Sequence, residues 1–156
     1  MASPHDEYRS PLSTRYAGVP LRRLFSERSR IQAWRKMWVW LARAEAELGL
    51  DIQPEQIAAM VAALDDIDFE KAAAYEARFR HDVMAHVHTF GDAAPAARGV
   101  IHLGATSCFV TDNAEAILLR EALEMIGLSL AEAIDALARF AAAHRATACL
   151  GYTHFQ

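Results

Sequence analysis

From position 26 onward the apolar residues fall into helical stripes. Ile31, Trp34, Trp38, Leu41 and Leu48 recur at intervals of three, four and seven, which lays them along one face of a helix. Ser26 precedes the stripe as an N-cap and Gly49 follows where a left-handed C-cap belongs, so the pattern predicts a helix over 26–48. Pro54 suits a first helical position and opens a short helix to about Leu64, after which Asp68 caps another that runs towards Arg80. Residues 82–90 keep the helical pattern and stop before Gly91 and Pro95. Upstream, Pro4, Pro11, Gly18 and Pro20 interrupt a stretch without helical period, and residues 1–23 read as an irregular lead-in.

Residues 96–109 hold a short apolar run, Val100 to Leu103, between Gly99 and Gly104; a strand or an extended loop fits, and the absence of a partner strand favours loop. Asp112-Asn113-Ala114-Glu115 then offers a capping box, from which a long helix runs to about Ala146. Along it Leu119, Leu123, Ile126, Leu130, Ala133, Leu137 and Phe140 repeat in alternating steps of four and three, a seam that wants another helix. At 1.5 Å per residue such a helix is about 50 Å long, wider than a small domain, so it is expected to belong to a larger bundle. The last residues, through Tyr152 to Gln156, are aromatic and carry no polar tail, so either self-association or further chain is expected to cover the seam. The fold class that follows is all-α, with no sheet.

Composition narrows the setting. The 156 residues are 53% hydrophobic and 23% charged, with formal charge −4, which is a globular composition rather than a disordered one. The 16 basic residues are scattered and outnumbered by 20 acidic ones, so no nucleic-acid footprint is present. Cys108 and Cys149 have no paired spacing, which excludes a disulfide framework or zinc ribbon and suits a reducing cytoplasm. Residues 1–7 lack the apolar core of a secretory leader, and no apolar run reaches membrane-spanning length.

Three clusters can carry chemistry: Arg80-His81-Asp82 with His86 and His88, Gly104-Ala105-Thr106-Ser107, and the terminal Thr153-His154-Phe155-Gln156. Three histidines in one segment invite a metal, but only His81 and His88 share a helical face and no further ligands stand out, so His86 and His88 read as packed or capping residues. Thr106 and Ser107 before Asp112-Asn113 fit a helix start, and hydroxyls with free N–H groups at that entrance suit a carboxylate or phosphate. Trp34, Trp38 and Trp40 read as core or interface anchors, and Cys108 has no adjacent base to make it a nucleophile.

Taken together, four tracts resemble the N-terminal part of the adenylosuccinate lyase family, within the fumarase and aspartase superfamily. They are Ser10-Pro11-Leu12-Ser13-Thr14-Arg15-Tyr16, the run from Arg80-His81-Asp82 to Gly91, Ile101-His102-Leu103-Gly104-Ala105-Thr106-Ser107, and Gly151-Tyr152-Thr153-His154-Phe155-Gln156. The resemblance implies a small helical N-terminal domain over 24–109 and, from residue 110, the first long helix of a central bundle. It implies β-elimination of fumarate from adenylosuccinate, giving AMP, and from the succinylated carboxamide ribotide of purine synthesis. His154 is similar to the family's general acid and His81 to the histidine that supports it, with Arg80 and Asp82 flanking as binding residues. Thr106 and Ser107 fall where the family binds the succinyl carboxylates, and Arg15 and Tyr16 match its phosphate contacts.

The resemblance also implies a nucleotide substrate, a homotetramer with shared active sites, a cytoplasmic location, and neither cofactor nor metal. The family's general base is a serine in a Ser-Ser-x-Met-Pro-x-Lys loop, and no such run occurs here. The 156 residues alone are therefore expected to turn nothing over. Three alternatives stay open: a non-catalytic helical association module, a related lyase such as argininosuccinate lyase, and a zinc protein built on His81, His86 and His88.

Overall fold

A computed structural model describes residues 10–154; the leader reading on residues 1–7 and the terminal Phe155 and Gln156 lie outside the described residues. The fold is all-α, and among the described residues no strand occurs. The chain divides into two units, Met1–Arg120 and Glu121–Gln156.

Within the first unit, α1 spans Val19–Leu24 and α2 Glu27–Glu47. Ser26 caps α2 by accepting from the Ser29 N–H at 3.3 Å, and Gly49 follows with φ +93°. The helix α3 is Pro54–Ala62 with proline in its first turn, and α4 is Phe69–Phe79 with Asp68 accepting from the Lys71 N–H at 2.9 Å. These ends follow local signals, because a side-chain acceptor or a proline costs a helix nothing at its first turn.

Four expectations are corrected. The lead-in is not irregular throughout: Leu12–Tyr16 forms a π-helical turn, and Pro20 starts α1 instead of interrupting it, with Gly18 as its N-cap. The helix α5 spans Asp82–Ala93 and runs through Gly91, stopping just before Pro95. Gly91 serves close packing there, since a Cβ would meet Arg98 Cγ at 3.1 Å. The helix α6 spans Ser107–His144, so it starts more than a turn before the expected capping box. Val110 and Ala114 are fully buried and extend the apolar face of α6 upstream, while Asp112 and Asn113 ride exposed on that turn, Asn113 Nδ2 donating to the Phe109 carbonyl at 2.7 Å. Finally, Leu48, the last residue of the stripe, is 82% exposed. Of the three indoles read as core or interface anchors, Trp34 and Trp38 are buried in the core and Trp40 is 49% exposed.

The core of this unit gathers Ile31, Trp34, Trp38 and Ala42 of α2, Met60 of α3, Val83, Val87 and Phe90 of α5, and Val110 and Ala114 of α6. Each buried indole removes about 200 Å² from water, roughly 5 kcal/mol at the usual area coefficient. A charge sits among them: Arg35 is fully buried, with Nη1 donating to the carbonyls of Ala63 and Asp66 and Cζ lying 4.5 Å from the centre of the Phe90 ring. That guanidinium ties α2 to the turn that joins α3 to α4. Burial lowers its pKa to about 10, against partial compensation from Asp66 and Asp65.

The second unit holds the remainder of α6 and the residues after it. Leu123, Ile126, Leu130, Leu137 and Phe140 of the seam are 53–68% exposed. Among the described residues no helix is long and apolar enough to cross a membrane.

Candidate functional site

The turn between α4 and α5 is sharp because Arg80, the C-cap of α4, takes a left-handed backbone, φ 52° and ψ 40°, with its N–H donating to the Glu76 carbonyl at 2.7 Å. A residue with a Cβ adopts that conformation at a cost of about 1 kcal/mol, and such strain gathers at functional sites. The reversal leaves His81 extended as the N-cap of α5. Its Nδ1 accepts from the Met84 N–H at 3.4 Å, and its Nε2 lies 3.3 Å from Ser107 Oγ. An imidazole that accepts through Nδ1 carries its proton on Nε2, so the neutral ring donates to the Ser107 hydroxyl. Asp82 Oδ1 stands 3.5 Å from Nδ1 and accepts from the Val83 N–H at 2.7 Å.

Ser107 is the first residue of α6, and the Phe109 N–H donates to the Thr106 carbonyl at 3.0 Å to close the first turn. Thr106 and Ser107 thus stand at a helix N-terminus, where unpaired N–H groups and the helix dipole favour an anion. The loop before them runs beside Glu45 of α2. Gly104 has φ +63°, and a Cβ added there would lie 3.7 Å from Glu45 Oε1. Burial raises the Glu45 carboxyl above its ordinary value.

His102, to which the sequence reading gave no role, joins this group. It has φ 64°, and its Nδ1 accepts from the Trp38 indole N–H at 2.9 Å. Burial, and then the nearby His81, push its pKa below the ordinary imidazole value. The tract containing it was legible, but nothing in the spacing ties position 102 to position 38.

The expected site residues therefore fall into groups. His81, Asp82, Arg80, Thr106 and Ser107 come together around the start of α5 and of α6. Arg15 and Tyr16 lie in the π-helical turn, exposed, with the Arg15 guanidinium 5.6 Å from the Tyr16 ring centre; no hydrogen bond among the described residues links them to His81 or Ser107. His154 is exposed in a turn of the second unit. The other two histidines of the cluster are packed, as expected: His86 is 7% exposed with its ring edge-on to Trp34 at 5.8 Å, and His88 stacks on Phe79 at 4.7 Å. Burial, with Arg35 and Arg30 nearby, lowers the His86 pKa to about 4. Among the described residues no group of three or more His, Cys, Asp and Glu is placed to hold a metal ion.

No protein-family model matches the chain. Individual proteins do. Over 97% of its length it is 51% identical to the adenylosuccinate lyase of Saccharomyces cerevisiae and 48% identical to that of Schistosoma mansoni. Over 94% of its length it is 32% identical to the adenylosuccinate lyase of Pyrococcus horikoshii. In each case the chain spans about a third of the relative's length, 32–33%. The similarity covers nearly the whole chain at up to 51% identity, and on that ground the chain belongs to the adenylosuccinate lyase family.

Proposed function

We propose that this chain supplies the succinyl-binding and proton-donating part of a C–N lyase site that releases fumarate from adenylosuccinate, leaving AMP, and from the succinylated carboxamide ribotide of purine synthesis. In that reaction a base removes a proton from the carbon next to the one that bears the nitrogen, a carbon–carbon double bond forms as the C–N bond breaks, and an acid delivers a proton to the departing nitrogen. The observation that carries the reading is the His81 Nε2 to Ser107 Oγ contact of 3.3 Å at the N-terminus of α6. It joins two of the family's functional positions at an anion-favouring helix end.

In this reading Thr106 and Ser107 donate to the substrate carboxylates, whose charge grows as the carbanion forms, and helix-end dipoles act most strongly at that moment. His154 protonates the nitrogen, a task suited to a group whose ordinary pKa is about 6.5. His81 orients the substrate and supports the acid, flanked by Arg80 and Asp82. Arg15, a planar two-pronged donor, pairs with the nucleotide phosphate beside Tyr16. The base is a serine from the Ser-Ser-x-Met-Pro-x-Lys loop of the family, a run that the 156 residues do not contain. Residues from 110 onward form the first helix of a central bundle, and the exposed Leu123, Ile126, Leu130, Leu137 and Phe140 support a homotetramer built on that seam. A cytoplasmic setting belongs to the same reading.

The test is fumarate release by a complete lyase chain carrying these residues. His154→Ala is expected to lower turnover by about 10²–10⁴-fold, and Ser107→Ala by about 10²–10³-fold. Undiminished elimination in His154→Ala overturns the acid assignment and leaves an association module. Arg15→Ala separates the substrates: a raised KM supports a nucleotide, and an unchanged KM supports a phosphate-free substrate such as argininosuccinate.

A further inference from the structure

We infer that Trp38 is a positioning residue of this site: its indole N–H, bonded to Nδ1 of His102, holds that imidazole as the tautomer with its proton on Nε2, so that His102 meets substrate as a hydrogen-bond donor. The indole nitrogen can only donate, so the nitrogen it meets must be the unprotonated one. At 2.9 Å the contact is a full hydrogen bond. It is also long-range, joining residues 64 positions apart and tying the loop to a helix in the core.

Three features make this more than a satisfied core polar group. Trp34, one turn earlier on α2 and equally buried, has no hydrogen-bond partner for its indole nitrogen among the described residues, so the core does not demand that every indole be paired. The acceptor is a residue held at φ 64°, a conformation the loop would abandon without something to fix it. And Trp38 is itself immobilised, fully buried with its ring 6.0 Å from Phe90 and edge-on to the His102 ring at 5.9 Å. A rigid donor on the scaffold therefore sets both the orientation and the proton position of a ring that stands near His81, a few residues before the Thr106-Ser107 helix start.

The consequence for binding is a matter of sign. The other neutral tautomer would leave Nε2 a bare lone pair that repels a carboxylate, and the Nε2–H form attracts one. This mirrors His81, whose Nδ1 is likewise occupied by an N–H donor, from Met84, and whose Nε2 faces Ser107. Two imidazoles would thus present N–H groups in the same region. What His102 faces rests on the proposed function; the bond and the tautomer do not.

The experiment has two arms. In the 156-residue chain labelled with ¹⁵N, nuclear magnetic resonance at pH 7 is expected to show a through-bond coupling between Trp38 Nε1 and His102 Nδ1, and a single Nε2–H tautomer. In Trp38→Phe the coupling is lost and His102 shifts to a mixture of tautomers. Absence of the coupling in the parent chain, or a pure Nε2–H ring in Trp38→Phe, overturns the inference. Should Trp38→Phe fail to fold, benzothienylalanine at position 38 keeps the indole shape without the N–H and reads out the same shift. In a complete lyase chain, Trp38→Phe is expected to raise KM about tenfold with kcat within about twofold. An unchanged KM beside the expected tautomer shift overturns His102 as a substrate contact and leaves the bond standing.

Discussion

His86 makes the chain acid-sensitive by a calculable amount. Its ring is buried on α5 against Trp34, and Arg35 and Arg30 of α2 oppose a charge there while Asp82 of its own helix only partly offsets them. The pKa is about 4 in the folded chain against 6.5 ordinarily. Between those values the unfolded chain binds the proton and the folded chain does not, so stability rises with pH across the window and is lost as pH falls through it. At about 1.4 kcal/mol per pH unit the full effect is about 3 kcal/mol, absent above pH 7 and complete a little below pH 4. The assay is urea unfolding followed by tryptophan fluorescence at several pH values between 7 and 4, comparing the parent chain with His86→Leu. Leucine fills a similar volume, has no proton to take up, and removes the buried Nδ1 that has no partner among the described residues. Other titrations, such as those of Asp92 and His102, occur in both chains and cancel in the difference. The parent is expected to lose up to about 3 kcal/mol relative to the variant between pH 6.5 and 4. Parallel loss in the two chains would refute the assignment of His86 as a neutral core residue.

Further expectations concern α2. Arg35→Ala strands the carbonyls of Ala63 and Asp66 and opens a cavity, costing about 3–5 kcal/mol in denaturant unfolding. Arg35→Met fills the space and relieves the buried charge, and is expected to cost less than half as much; equal losses would show that the carbonyl bonds alone matter. Gly49→Ala meets no atom within 4 Å, so its expected cost of about 1 kcal/mol is purely that of φ +93°, and Gly49→Asn should recover part of it in the same assay.

What the sequence determined by itself was local. Ser26 and Gly49 bracket α2, Pro54 opens α3, and Asp68 caps α4, because each signal acts on backbone groups within a turn of itself. The all-α class and the buried stripe at Ile31, Trp34 and Trp38 follow from periodicity, which is likewise a property of one segment. The polar clusters at 80–82 and 106–107 were legible as a group, His81 does meet Ser107, and α6 begins at Ser107 itself.

Tertiary structure decided whatever depended on a neighbour distant in the chain. The period does not distinguish Leu48, exposed, from Trp38, nor announce that Arg35 is buried, because those outcomes depend on whether another helix covers the face. Gly91 stays inside α5 because Arg98 needs the space, and α6 starts early because Val110 and Ala114 have a core to enter. His102 acquires its place only when α2 brings an indole N–H to it across 64 residues. Capping is settled within one turn of backbone, whereas burial and side-chain pairing are settled by which surfaces meet, and that information exists only once the chain has packed.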